Sequence, residues 1–259
     1  MKYFVEPNSI VRKIWGRADT TLFIFAGAAA EFALNKAVDW LYFTGKLPAD
    51  PLGRLFSTVA YASEIIFSDE ETALRSIEKI TAIHQGVEQA RGHNIPDWAY
   101  RDVLFMLIGC SINSFELLDR PLTDEEKTEV FDEFKRVGDG MKLSGLPQTF
   151  AEYKQMRSEH LANDLIASDF TVDLYQQYRK NLGALRFTIM KQVQLLVAPP
   201  EVSRLLKLKR ELWMLPLLDC YKILRALKIE RPFRNLLLPP EYKERIIAMD
   251  RTGLLDNGA

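Results

Sequence analysis

The stretch that decides the fold of this chain begins with Arg54-Leu55-Phe56-Ser57-Thr58 and ends with Ile83-His84-Gln85-Gly86-Val87. The pattern predicts two helices joined by a short turn. The first helix starts with Asp50 as N-cap and Pro51 in the first position. The turn at Ser68-Asp69-Glu70-Glu71 has the pattern of a capping box, with Ser68 as the N-cap. The stretch therefore predicts a pair of helices.

The second helix of this pair places His84 on its inward face. Apolar and small side chains recur there at helical spacing, at Leu74, Ile77, Thr81, His84 and Val87. Arg54 and Thr58 lie one turn apart and share a face of the first helix. If the two helices run antiparallel, all three side chains face one interior space. An imidazole, a cation and a hydroxyl in that space suggest a site for a non-protein group. The alternative is an ordinary core histidine with one hydrogen-bond partner.

The rest of the chain also has helical periodicity, and no segment shows sustained alternation of apolar and polar residues. We therefore predict an all-α fold, a single multi-helix domain over residues 1–259, with globin-like or bundle-like packing around the pocket. One long helix is expected from Asp19 to Phe43. Its Ala26-Gly27-Ala28-Ala29-Ala30 segment would let another helix, or a flat ligand, approach closely. A short last helix is expected after Pro239-Pro240, followed by a frayed end from Asp250 to Ala259.

Composition limits the class of partner and the location. Hydrophobic residues make up 47% of the chain and charged residues 27%, which is typical of a folded globular protein, and the formal net charge of -1 argues against nucleic-acid binding. The apolar run Leu22–Leu34 is too short to span a bilayer and contains Glu31. The first residues lack the apolar core of a signal peptide, so we expect a cytoplasmic protein. Cys110 and Cys220 are expected to be reduced core residues.

Several kinds of catalytic site are disfavoured by the residue inventory. The chain has no GxGxxG, P-loop, HExxH or GxSxG motif, and its three histidines make a three-histidine zinc site improbable. His93 is expected to be exposed in a polar loop, and His160 is expected to be a surface residue.

Residues 204–234 form a basic segment with nine Lys or Arg against three Asp or Glu. Trp213 and Leu215 are interleaved with these charges. Such a segment is either a solvated helix face or a region of peripheral contact with a membrane surface. The sequence leaves both interpretations open, and it does not determine the oligomeric state.

The order and spacing of these motifs identify a family resemblance. The chain resembles the MpaB-like and latex-clearing-protein (rubber oxygenase) catalytic-domain family. The resemblance rests on Asp50-Pro51-x-x-Arg54-x-x-x-Thr58, followed by Ile83-His84-x-x-Val87. The resemblance covers roughly residues 10–165. It continues through Asp102, Leu104, Leu107, Glu116, Arg120-Pro121-Leu122 and Thr149-Phe150-Ala151-Glu152-Tyr153.

The resemblance implies an all-α protein that holds a haem b. His84 matches the residue that ligates the haem iron, and Arg54 and Thr58 match pocket residues that contact the cofactor. The implied activity is that of an oxygenase or peroxygenase acting on a lipophilic, unsaturated, isoprenoid-like small molecule. Ser57, Thr58 or Arg54 would then steer the oxygen ligand by hydrogen bonding.

Two departures from the family pattern bear on activity. Ser57 stands where rubber oxygenases carry a lysine that can cap the iron, and Leu104 stands where many members carry a histidine. These departures favour a substrate smaller than polyisoprene. They also keep open a non-catalytic haem or lipid carrier or sensor on the same scaffold, and a cofactor-free protein in which His84 is a core residue.

Overall fold

The computed structural model describes residues 2–45, 49–237, 243–248 and 250. Within these ranges the chain is all-α, as predicted, and its only β contacts are isolated bridges between Tyr3 and Asp69 and between Asn35 and Leu165. The helices are α1 (Ile10–Trp15), α2 (Ala18–Phe32), α3 (Asp39–Phe43), α4 (Pro51–Phe67), α5 (Glu70–Arg91), α6 (Asp97–Leu118), α7 (Asp124–Gly140), α8 (Phe150–Asn163), α9 (Asp169–Val197), α10 (Pro200–Leu205), α11 (Met214–Ala226), α12 (Arg231–Leu237) and α13 (Lys243–Ile247).

Side-chain caps start the two helices of the predicted pair. The Asp50 carboxylate accepts a hydrogen bond from the Gly53 N–H at 2.8 Å, as expected. The prediction for α5 was wrong by one residue, because its N-cap is Asp69 and Ser68 instead follows the end of α4. The Asp69 carboxylate accepts from the Thr72 N–H at 3.0 Å. A carboxylate at this position also favours the positive end of the helix dipole.

The predicted single helix from Asp19 to Phe43 is wrong, because α2 ends at Phe32. The backbone beyond α2 bonds to other groups. The Asn35 side chain accepts from the Ala37 N–H at 2.8 Å. The segment that precedes α9 supplies a second set of partners, since the Ile166 N–H donates to the Leu34 carbonyl at 2.7 Å. These bonds replace the helical ones and turn the chain into α3.

The helix α2 lies at the centre of the fold and packs against α6 and α9. Gly27 makes this close approach possible, as the small-residue segment predicted. A Cβ atom at Gly27 would lie 2.8 Å from Val197 Cγ2 and 2.9 Å from Cys110 Sγ. Cys110 is buried as expected, whereas Cys220 is exposed, so the prediction of a core cysteine at 220 is wrong. Cys220 lies on the outer side of α11, whose inner side packs on the protein.

The helix α11 is fixed to the rest of the structure by ion pairs of the buried Arg225 side chain. Arg225 Nε lies 2.9 Å from Asp19 Oδ2, and its Nη1 lies 2.6 Å from Asp119 Oδ2. The Tyr221 hydroxyl donates to Asp19 at 3.0 Å. The helix α11 thus closes against the start of α2 and the end of α6. No described helix is both long enough and apolar enough to cross a bilayer.

The expectations for the chain end are only partly covered by the described residues. A short last helix is present at Lys243–Ile247. Pro239-Pro240 and nearly all of the segment predicted to fray, 250–259, lie outside the described residues.

Replacing Gly27 with alanine is expected to destabilise the protein. The added methyl overlaps Val197 and Cys110, and overpacking of this kind costs about 1–3 kcal/mol, more than the gain of up to about 1 kcal/mol in helix propensity. Gly86→Ala on α5 is the matched control, since nothing lies within 4 Å of its added Cβ. Urea unfolding should show a lower free energy of unfolding for Gly27→Ala and an equal or higher one for Gly86→Ala. Equal effects would contradict the close approach.

Candidate functional site

A cavity of about 310 Å³ lies between α2, α4, α5, α6 and α7, with further wall residues from α3 and α9. This volume is at the lower end of the range of about 300–1,000 Å³ typical of small-molecule sites. Most of its wall is aliphatic or aromatic, and small side chains at Ala28 and Ala29 of α2 keep that side open. The polar side chains on the wall are Asn35, Arg54, Ser57, Thr58, Tyr61, His84, Tyr100 and Tyr178.

The four residues predicted as site residues, Arg54, Ser57, Thr58 and His84, line this one cavity. Arg54, Ser57 and Thr58 lie on α4, and His84 lies on α5, which packs against α4 after the turn. The helical pair thus brings the four side chains together. Two details differ from expectation: Ser57 is exposed at the rim, and Leu74, predicted to face inward, is 43% exposed.

His84 carries the most unusual polar group of the cavity. Its Nδ1 atom is buried and has no hydrogen-bond partner among the described residues. The Tyr100 ring packs edge-on against the imidazole, with 5.2 Å between ring centroids. Burial, together with the positive charge of Arg54, lowers the pKa of His84 to about 4. The imidazole is therefore neutral near pH 7, and a neutral imidazole nitrogen is a common metal ligand.

Arg54 brings a positive charge to the cavity wall without a carboxylate to balance it. In the described part of the chain, the guanidinium forms no ion pair. Burial lowers the pKa of Arg54, and the nearby Tyr61 only partly opposes this effect. Burying an unpaired charge is costly. The site is therefore suited to a ligand that carries an anionic group.

The two hydroxyls of α4 have less freedom than the sequence suggests. Ser57 Oγ donates to the Gly53 carbonyl at 2.9 Å, and Thr58 Oγ1 donates to the Arg54 carbonyl at 3.3 Å. Both hydroxyl hydrogens thus bond within the helix. Toward the cavity, these side chains offer oxygen lone pairs, which accept hydrogen bonds.

Tyr100 is a site residue that the sequence analysis missed. Its hydroxyl donates to Glu88 Oε1 at 3.1 Å, and the same carboxylate oxygen accepts from the Ile95 N–H at 2.8 Å. Glu88 lies one turn after His84. The Tyr100–Glu88 contact fixes the aromatic edge that packs against His84, and no local motif marks it.

A second polar cluster lies outside the cavity wall and involves His160. The prediction of a surface histidine is wrong, since His160 is 3% exposed. Its Nδ1 lies 2.6 Å from Asp102 Oδ2, and its Nε2 lies 3.3 Å from Glu31 Oε1. Glu31 is fully buried and also pairs with both terminal nitrogens of Arg157. The cluster links α2, α6 and α8.

The cluster has the donor types of a metal site, but its charges are already paired. Ligand atoms of Asp102, His160 and Asp164 lie within 4.8 Å of one another. Burial disfavours the imidazolium, but contact with Asp102 and Glu31 outweighs burial and raises the pKa of His160 to about 9. The protonated ring supplies positive charge between the carboxylates. We therefore interpret the cluster as a structural ion-pair network.

Comparison with known proteins gives one family. The family model described as "ER-bound oxygenase mpaB/B'/Rubber oxygenase, catalytic domain" matches residues 12–226. The match extends beyond residues 10–165, where the sequence motifs lie, to the end of α11. No curated protein and no solved structure matched the chain.

The His84 imidazole is expected to titrate near pH 4, not near its usual value of about 6.5. Removing the positive charge by Arg54→Gln should raise this pKa, because the imidazolium would no longer be repelled. Arg75→Gln is the control, because Arg75 is an exposed arginine on α5, the helix that carries His84, and its replacement should leave the pKa of His84 unchanged. Nuclear magnetic resonance titration of the histidine ring protons measures this pKa in the wild type and in both variants. A wild-type midpoint near 6.5 would contradict the buried position.

Stability is expected to fall as the pH rises through the pKa of His160. This pKa is raised to about 9. The folded protein therefore binds a proton that the unfolded chain releases above about pH 6.5. The stabilisation is complete below that pH and is lost by about pH 9. Its size is on the order of 3 kcal/mol.

Urea unfolding between pH 6 and 9.5 tests this expectation. His160→Gln should lack the decrease, whereas His93→Gln, at an exposed position, should keep it. Parallel curves for the wild type and His160→Gln would show that His160 is not charged in the folded state.

Proposed function

The chain belongs to the ER-bound oxygenase mpaB and rubber oxygenase catalytic-domain family, and we propose that it is a haem b-dependent oxygenase or peroxygenase. Family membership supports oxygenase activity, and the haem is our inference from the cavity. The observation that carries this inference is the neutral imidazole of His84, half-buried with its Nδ1 atom fully buried, on the wall of a largely apolar cavity.

The residues of the cavity fit the needs of a haem group. A haem held through histidine needs an unprotonated imidazole on a firm support and an apolar space for the ring, and cations near its propionates would balance their charge. His84 on the long helix α5 would hold the iron. Ala28 and Ala29 leave room beside the ring, and Arg54 would pair with a propionate. When bound, the haem would supply iron chemistry for oxygen or peroxide activation.

Each of these side chains has a role that follows from its surroundings. Burial and the Arg54 charge keep His84 deprotonated, so that no proton must leave before it binds a metal. The Tyr100 ring packs against the His84 imidazole and limits its rotation. Leu104, at the position where the resemblance places a histidine, makes that part of the wall apolar.

The lining of the cavity favours a lipophilic substrate. Aromatic side chains at Phe25, Phe32 and Phe134 and aliphatic ones from α4 and α6 provide contact surface. These side chains bind a ligand through apolar contact, and they make up most of the wall. An unsaturated, isoprenoid-like small molecule is therefore the substrate class that we propose.

A non-catalytic haem or lipid carrier or sensor is the second candidate function. The hydrogen bonds of Ser57 and Thr58 support it, since neither hydroxyl hydrogen is free to bond a ligand. Ser57 also stands at the family's lysine position, and His84 is the only histidine on the described cavity wall, which has no lysine. A carrier would bind haem through His84 without turnover of oxygen or peroxide.

Haemin titration followed by absorption spectroscopy tests the haem site. Wild-type protein should give a sharp Soret band, and His84→Ala should lose most of it while keeping its helical circular dichroism. His93→Ala is the matched control and should bind as the wild type does, because His93 is exposed in a loop. We expect at least about a tenfold loss of affinity in His84→Ala, as is typical for removal of a metal ligand or its support.

A wild-type spectrum that haemin leaves unchanged would overturn the haem proposal. It would favour the cofactor-free alternative, with another organic ligand in the same cavity. If haem binds, a screen of lipophilic alkenes with oxygen or peroxide separates the oxygenase, which consumes them, from the carrier, which does not.

A further inference from the structure

The outer face of α11 and its flanks exposes an unusual amount of apolar surface. Leu212 is 95% exposed, Ile223 60% and Leu227 63%. We call this surface the α11 outer face. It consists of Leu212, Trp213, Leu215, Leu217, Ile223, Leu227 and Ile229. Single exposed apolar residues are common, but seven of them between residues 212 and 229 are an unusual concentration, and such concentrations mark interaction surfaces.

The opposite side of α11 is the side that holds it on the protein. Met214, Leu218 and Arg225 are buried there. The helix thus carries large apolar side chains on its exposed side as well as on its buried side. The α11 outer face is therefore expected to meet another surface.

Exposed positive charge accompanies this apolar face along the chain. Residues 204–229 contain five exposed basic residues, against the exposed acidic residues Glu211 and Asp219. The chain as a whole has a formal net charge of -1, so this concentration of basic charge is local. The basic residues are Arg204, Lys207, Lys209, Arg210 and Lys228.

We propose that the α11 outer face binds peripherally to an anionic lipid membrane. An apolar face beside lysine and arginine matches the boundary between acyl chains and anionic headgroups. No described helix can cross a bilayer, so contact in the plane of the interface is the mode that fits. A second copy of the chain fits less well, because two such faces would place like charges side by side.

This surface is separate from the cavity. On α2, Phe23 and Ala26 pack in the cluster that contains Met214, whereas Phe25, Ala28 and Ala29 line the cavity. The two sets lie on opposite sides of one helix. The membrane proposal therefore does not depend on the proposed function. It would localise the protein without using a site residue.

Co-sedimentation with vesicles tests the proposal on the full chain. Wild type should bind vesicles of phosphatidylserine and phosphatidylcholine, bind far less to pure phosphatidylcholine, and weaken as salt rises. The triple variant Lys207→Glu, Lys209→Glu, Arg210→Glu should bind at least about 100-fold less tightly, since each lysine or arginine contributes about fivefold. The double variant Ile223→Ser, Leu227→Ser should lose at least about tenfold.

Matched controls separate the α11 outer face from general effects of charge and exposure. The charge control is the triple variant Lys79→Glu, Lys142→Glu, Lys154→Glu, which changes the net charge by the same amount as the α11 triple variant, at exposed positions elsewhere. Lys142, like Lys207, has a left-handed backbone conformation, so the two variants also match in backbone effects. Val172→Ser removes a comparably exposed apolar side chain. Both controls should bind as the wild type does, and a blue shift of Trp213 fluorescence, absent in Trp213→Phe, should accompany binding.

Three results would overturn the proposal. The first is a wild type that does not sediment with anionic vesicles at low salt. The second is an equal loss of binding in the control variants. The third is a dimer in sedimentation velocity that Ile223→Ser, Leu227→Ser dissociates, which would assign the α11 outer face to a second copy of the chain.

Discussion

The buried ion pair of Glu31 and Arg157 is the interaction on which the surrounding helices depend. Glu31 lies near the end of an apolar helix and is fully buried, so its charge needs a partner within the fold. Burial alone would raise its pKa, but Arg157 outweighs burial and lowers it. Loss of one partner of such a pair costs about 3–5 kcal/mol. The pair therefore determines how α8 lies against α2, and His160 extends the link to Asp102 of α6.

The helix α2 positions the cavity because each of its sides has a different neighbour. Gly27 allows α6 and α9 to approach closely. Asp19 binds Arg225 of α11, and Glu31 binds Arg157 of α8. The side that bears Ala28 and Ala29 is left facing α4 and α5 across the cavity. The cavity is thus a gap between helices whose other sides are fixed by close packing or by paired charges.

The sequence predicted what depends on short-range pattern. Asp50 as N-cap follows from the residue type and the proline after it. The gathering of Arg54, Thr58 and His84 around one cavity follows from helical periodicity. The errors have long-range causes. The end of α2 is set by the segment before α9, and His160 is buried because carboxylates distant in sequence surround it. Glu31 within an apolar run was the available signal, since a buried carboxylate requires a cation.

His84 and His160 show how one residue type acquires opposite properties in a single fold. Burial disfavours the imidazolium at both positions. At His84 the positive charge of Arg54 adds to the effect of burial, and the pKa of His84 falls to about 4. At His160 the carboxylates of Asp102 and Glu31 outweigh burial, and the pKa of His160 rises to about 9. His84 is thus a neutral donor whose buried Nδ1 has no hydrogen-bond partner among the described residues. His160 is a cation whose nitrogens lie 2.6 Å from Asp102 Oδ2 and 3.3 Å from Glu31 Oε1. Partners of opposite sign therefore separate the histidine suited to ligand binding from the one that stabilises the helix packing.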